Sequence, residues 1–489
     1  MPVVNIFKEN QMKYSKILIT SFLFLTMFSC KKVIEIEETD FIGGDIALLT
    51  VANNEQGIIG AYSAMNIEMA ILLNAVFADE VKKSEFYNAG TVHEWQYSST
   101  DISIRDNYTA ITLYYRIIDR VNRVLEALPN AQATATNDEA LRSKLKGEAL
   151  FLRAFSHFEL YRYYSGSSDP NALAMPYMET PSLAPVARIN VGPYFEKLKA
   201  DMAEAKTLLP NNLTDKYRAN RVAVSGLQAR VALYLKQWED AKTFSTEYIN
   251  ALPLSPRAEF NGIWTDANSN EVAFKLARNP SAGGRIGSLF RGTSATANNV
   301  LNIGTITWMP TDKIWNAYDQ TNDIRFSSYF VDEPLLAAAN RPSRLIKKYA
   351  GTAYATAGEN VADAKVFRTG EMYLIRAEAK AETGDLVGAA ADLNALRAAR
   401  ITGYVPVVFA GKDALITAII NERFKELAYE GHRFWDLRRR NLPVERLASD
   451  APSSTATTLP AGNFRFLLPI PNSEIQANPL IQQNPGYSN

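Results

Sequence analysis

Cysteine is nearly missing: the 489 residues hold one, Cys30. A single thiol excludes internal disulfides and a thiolate zinc site. Histidine is almost as scarce, with His93, His157 and His432. None of the three is spaced as a metal-ligand pair, and His157 reads as a polar surface or packing residue of a helix. Neither sign of charge is in excess, because Lys+Arg and Asp+Glu stand at 52 each. The basic surplus that nucleic-acid binding requires is lacking, so no nucleic-acid partner is expected. Enzyme signatures are missing too. There is no G-x-S-x-G elbow, no Walker-type loop, and no G-x-G-x-x-G opening a helix after a strand. Neither a metal nor a cofactor is implied.

The lone cysteine stands at the exit of an apolar stretch. Lys13 and Lys16 precede ILITSFLFLTMFSC, which ends at Cys30, with the small Ser29 before it. A basic start, a short apolar run and a small residue read as an export signal, and the run is short for a membrane span. A cysteine placed directly after the cut reads as a lipoprotein signal, its thiol acylated and its amino group the new N-terminus. Met12 opens a more compact basic start than Met1. Cleavage removes Lys8, Lys13, Lys16 and Glu9 and leaves the remainder close to neutral. Residues 1–29 are therefore expected to be the signal and 30–45 a charged tether.

Beyond the tether the composition is that of a globular chain with a large core, 47% hydrophobic and 21% charged over the full sequence. Ile117, Val121, Val124, Leu125 and Leu128 recur at helical spacing until Pro129 and Asn130 stop them. In 147–164, Phe151, Ala154, Phe155, Phe158 and Tyr161 form one apolar stripe, with Arg153, Ser156 and Glu159 off it. Further helices are expected at 193–209, 221–235 and 238–251. The last two, joined by a tight turn and restarting on W-E-D-A, have the shape of a tetratricopeptide unit. The shape returns at 371–400, where Gly384 and Asp385 make the turn. More than a hundred residues separate the two units, so one uninterrupted array is not expected. The intervening 252–366 is rich in Gly, Pro, Ser and Asn, with short strand-like runs such as 271–276, and reads as a loop-rich insertion.

Aromatic residues are plentiful, with 23 Tyr, 23 Phe and 6 Trp. Most belong in the core. Some fall in polar, turn-rich contexts: Phe86, Tyr87, Asn88, Trp95 and Tyr97 in 86–99, and Trp308 in the insertion, where Arg285 and Arg291 flank a Gly-rich loop. Flat rings beside amides and guanidinium groups suit sugars, and loops on a rigid scaffold commonly carry binding. Tyr87, Asn88, Trp95, Arg285 and Trp308 are the candidate ligand contacts. The same rings also serve to pin loops to the body. Glu422, Glu426 and Glu430 recur every four residues, a spacing two catalytic carboxylates could use. The arginines around them make a helix-borne ion-pair network the commoner explanation.

Four blocks together resemble the SusD/RagB lipoproteins: GEALFLRAFSHFELYRYYSG, RTGEMYLIRAEAKAETGD with AAADLNALRAAR, NERFKELAYEGHRFWDLRRR, and the tail FLLPIPNSEIQANPLIQQNPGY. The resemblance spans 30–489. It implies an all-α fold, a tetratricopeptide-like right-handed superhelix with a loop-rich insertion, as one SusD-like domain over 46–489 (helical 46–251, insertion 252–366, helical part and tail 367–489). It also implies a lipid-anchored protein on the outer-membrane surface that captures glycans without cleaving them and delivers them to a SusC-like TonB-dependent transporter. Ligand contacts in that family lie in variable loops and do not transfer residue by residue. Two rivals stay open: peptide or another small nutrient as cargo, and a glycoside hydrolase using Glu426 and Glu430.

Overall fold

In the computed structural model the described residues are 47–87, 90–281, 285–294 and 301–488. Signal, tether, Cys30 and Asn88 lie outside them. Among the described residues, the unit Leu48–Asn489 is built on eleven helices of seven or more residues. They are α1 (Val51–Ala64), α2 (Glu68–Phe77), α3 (Ile111–Ala127), α4 (Asp138–Tyr164), α5 (Val191–Leu208), α6 (Arg221–Tyr234), α7 (Trp238–Ala251), α8 (Thr369–Glu382), α9 (Leu386–Arg400), α10 (Lys412–Glu426) and α11 (Arg433–Arg439). Six strands of three or more residues brace them: β1 (Val81–Lys83), β2 (Val272–Leu276), β3 (Trp308–Pro310), β4 (Phe330–Asp332), β5 (Arg344–Ile346) and β6 (Ala364–Arg368).

Local chemistry starts these helices where the chain needs them. Thr50 and Asn53 form a reciprocal capping box on α1. Asn220 caps α6 and Asp385 caps α9 by accepting from backbone amides one turn on. The α8–α9 turn falls on Gly384, whose φ of 90° is open to glycine at little cost. Glycine also sets one close approach: a Cβ on Gly226 of α6 would stand 3.0 Å from the Phe367 ring of β6.

The helices pack in sequence as a tetratricopeptide-like superhelix, α3 on α4, α4 on α5, α6 on α7, α8 on α9, α9 on α10. The two repeat-like units are neighbours in space, because α7 packs directly on α8. The array runs through uninterrupted, contrary to the sequence expectation, and the long segment between the units loops out. Its two ends are zipped by antiparallel pairing of β2 with β6. Inside the loop, β3 pairs back onto β1 and β4 pairs with β5. Leu301, Ile306, Met309, Leu336 and Leu345 give it a small core of its own.

Helix α4 departs from the one-stripe expectation, since every residue from Gly147 to Tyr164 is buried, the polar ones included. It is the central helix, covered by α1, α3 and α5. Its polar side chains are matched inside: Arg153 makes a two-point pair with Asp201 (2.7 and 2.6 Å), and Arg162 bonds Glu159 (2.5 Å) while lying 4.0 Å over Trp435. His157 is buried, stacked on Tyr177 at 3.8 Å, and not a surface residue. The C-terminal tail closes on the end of this helix. The Asn484 amide donates to the carbonyls of Tyr164 (2.9 Å) and Leu468 (2.7 Å) and accepts from Arg188 (2.9 Å).

Candidate functional site

The three glutamates do not share one helix. α10 ends at Glu426, the chain turns through Tyr429 (φ 59°) and Gly431 (φ 81°), and α11 begins at Arg433. All three side chains are nonetheless buried among cations. Glu422 meets Arg325 (2.7 Å) and Arg397 (2.6 Å); Glu426 meets Arg400 (2.9 Å), Arg325 (3.1 Å) and Arg368 (3.1 Å); Glu430 meets Arg368 (2.7 Å) and Lys348 (2.8 Å). Burial alone would raise their carboxyl pKa values, but the adjacent cations outweigh it. Glu422 is brought down to about 2, and Glu426 and Glu430 are also lowered. A general acid needs the opposite shift and room for a substrate. The ion-pair reading holds, with a correction: the partners come mostly from other elements, not from the helix itself.

The candidate ligand residues separate into two groups. Trp95 is 4% exposed, with its indole N–H on the Phe77 carbonyl (2.9 Å) and the Arg446 guanidinium 4.0 Å over its ring. Its donor and its ring are both used inside the core. Arg285 donates to the carbonyls of Glu359 (2.9 Å) and Pro280, and Arg291 bonds Asn360 (2.8 Å) and the Thr352 carbonyl (2.9 Å). Those guanidiniums hold loop to loop. Tyr87 and Trp308, in contrast, meet each other edge to face at 5.1 Å.

That meeting follows from strand register. β1 and β3 pair with Lys83 opposite Trp308, and the ladder is extended by Ser84, whose N–H and hydroxyl reach the carbonyls of Thr307 (3.0 Å) and Ile306 (2.6 Å). The chain then turns, and Phe86 and Tyr87 project outward, 41% and 39% exposed. Trp308 itself is 2% exposed and wedged between Tyr87 and His93 (5.1 Å). His93 is held neutral: burial and the nearby Arg446 bring its pKa to about 3. Arg341 of the insertion pairs with Glu85 (3.0 Å) and lies 5.6 Å from the Phe86 ring. The result is two solvent-facing rings, Tyr87 backed by the Trp308 indole and Phe86 flanked by Arg341, with the Glu85 carboxylate beside them. Such a surface stacks on a flat apolar face and hydrogen-bonds hydroxyls around its edge. Arg341 had no sequence signal, being 256 residues from its partner. Among the described residues no three His, Cys, Asp or Glu side chains converge as a metal site.

Known proteins share this architecture. The SusD family model matches residues 304–487, and a second model, described as starch-binding associating with outer membrane, matches 47–233. A SusD-like protein of Formosa agariphila is 24% identical, with 97% of this chain and all of that one aligned. The crystal structure of a SusD superfamily protein from Bacteroides thetaiotaomicron superposes with a TM-score of 0.75 at 24% identity, covering 89% of this chain and 100% of that one. A laminarin-binding SusD-like protein superposes at 0.70 with 21% identity, covering 89% and 99%. The two family models between them take in both halves of the helical array and the closing tail, and the chain belongs to the SusD/RagB family.

Proposed function

We propose that this protein is a lipoprotein of the outer membrane, anchored at Cys30, that captures oligosaccharides at the cell surface. It passes them uncleaved to a SusC-like TonB-dependent transporter. The observation that carries the reading is the exposed pair Phe86 and Tyr87, the second of them backed by Trp308. Pyranose rings present C–H faces to aromatic surfaces and hydroxyls to charged rims, and a preset support lowers the ordering cost of binding. The description of the matching family model and the laminarin-binding relative favour a glycan as cargo. The buried, cation-held glutamates favour binding without hydrolysis.

Calorimetric titration of the full chain in detergent with maltoheptaose, laminarihexaose and, in parallel, a mixed peptide panel tests the cargo. Saturable binding of an oligosaccharide, recovered at its original length after prolonged incubation, is the expected result. Binding of peptides alone removes the glycan reading. Shortened oligosaccharide removes the claim that nothing is cleaved. Affinity purification from the native membrane tests delivery, with a large TonB-dependent barrel expected to accompany the protein.

A further inference from the structure

A large groove lies elsewhere, with a volume of about 760 Å³, between the end of α1, the start of α3, the loop before α6 and the exit of β2. It shares no residue with the Phe86–Tyr87 surface. Its volume falls within the range of roughly 300–1,000 Å³ common to small-molecule sites. An aromatic ring stands at its edge: Tyr217 is 44% exposed.

That ring is held still. Its backbone N–H bonds the Asp215 carboxylate (2.9 Å), its hydroxyl donates to Asp363 (2.8 Å), and the Lys275 ammonium sits 4.7 Å from its centroid. Asp363 also pairs with Lys275 (2.8 Å) and accepts the Arg278 N–H (3.0 Å). The cations around the groove are matched within the protein: Lys275 by Asp363, Arg278 by Glu68, Arg218 by Glu148. What the groove offers a ligand is therefore a fixed aromatic ring, the apolar Ile59 and Leu113, the amides of Asn66 and Asn279, and the carboxylate of Asp215 as a hydroxyl acceptor. An anionic ligand would have to break existing pairs, whereas a neutral polyhydroxylated one would not.

We propose that this groove is a second binding site for a neutral oligosaccharide, with Tyr217 as its stacking platform. The second site rests on the glycan reading of the first.

Calorimetry with maltoheptaose and laminarihexaose decides it. A stoichiometry of two is expected for the unmodified protein with the oligosaccharide it accepts. The double variant Phe86→Ala/Tyr87→Ala is expected to retain one site, and Tyr217→Ala to retain the other, with affinity for the lost site down about tenfold or more. Tyr217→Phe keeps the ring and should keep both sites, and thermal melting of each variant verifies folding. If Tyr217→Ala leaves stoichiometry and affinity unchanged while the double variant abolishes all binding, the second site is wrong and the glycan reading stands. If the unmodified protein binds neither oligosaccharide, the glycan reading itself fails.

Discussion

The buried guanidinium of Arg400 donates through one nitrogen to both carboxylate oxygens of Glu271, at 2.8 and 2.9 Å. Arg400 closes α9, and Glu271 stands one residue before β2, near the start of the long insertion. Glu271 also bonds the Ser255 N–H (2.7 Å) and Arg368 (3.3 Å), and it sits in the left-handed region at φ 64°. The same Arg400 reaches Glu426 (2.9 Å), so one ion cluster fastens insertion, β6, α9 and α10 together. Its function is structural clasping.

Glu426→Gln should therefore behave as a stability variant. Removing one charge from a buried cluster leaves three guanidiniums under-compensated, and a loss of about 3–5 kcal/mol is expected by urea unfolding. The folded fraction should bind oligosaccharide with unchanged Kd. Glu422 adds an acid dependence. Its carboxyl pKa is about 2 in the folded chain, below the ordinary carboxylate value. Its contribution is thus fully present above that ordinary value and is lost as pH falls toward 2.

The helices are legible in the sequence, and the ion cluster only halfway. The strong periodicity of α3 and the Gly384–Asp385 turn are local signals, and local signals need no tertiary contact to be read. The glutamates are recognisable as ion-paired, but their partners are 26, 58 and 101 residues away for Glu426 alone. Helix α4 reads as amphipathic because Arg153, Ser156 and Glu159 fall off its apolar stripe, yet all three are buried, Arg153 paired with Asp201 from elsewhere in the chain and Glu159 with Arg162. The rings of the candidate site are visible in the sequence, yet Trp95 is not separable there from Tyr87. Only tertiary burial distinguishes a loop-pinning indole from a solvent-facing phenol.

Substitutions should sort the same rings. Phe86→Ala and Tyr87→Ala each remove exposed ring surface, so stability should shift by no more than about 0.5 kcal/mol. Affinity for the preferred oligosaccharide should fall about tenfold or more in each, read by calorimetry. Trp95→Ala should do the reverse, costing about 3–5 kcal/mol through the cavity it leaves. An intact Kd in both ring variants would exclude this surface as the site.

Cys30→Ala should free the protein from the membrane. On the proposed anchoring, an acylated thiol with a second lipid chain anchors stably, and Cys30→Ala removes that anchor. Fractionation of cells lacking the barrel partner should move the variant from membrane to soluble fractions, and intact-mass measurement should show the lipid on the unmodified protein alone. Persistence of the variant in the membrane would overturn the assignment of Cys30.

Glu80 ties stability to pH near neutrality. Its side chain is buried, accepts the Tyr429 N–H (3.0 Å) and neighbours the ionised Asp79, which is paired with Arg433 (2.8 Å). Burial, aided by the charge of Asp79, pushes the Glu80 pKa up to about 8, while Arg433 and Lys313 hold Asp79 at about 2 against its own burial. Between the ordinary glutamate value and about pH 8 the folded chain keeps a proton on Glu80 that the unfolded chain has released. The native state binds more protons there, so this group's effect is to make stability fall as pH rises across that window. Glu80→Gln, neutral at every pH, removes the titration. The melting temperature of the variant minus that of the unmodified protein should grow steadily from about pH 5 to about pH 8. A difference that stays flat across the range would mean that Glu80 is ionised in the folded protein and balanced by a cation.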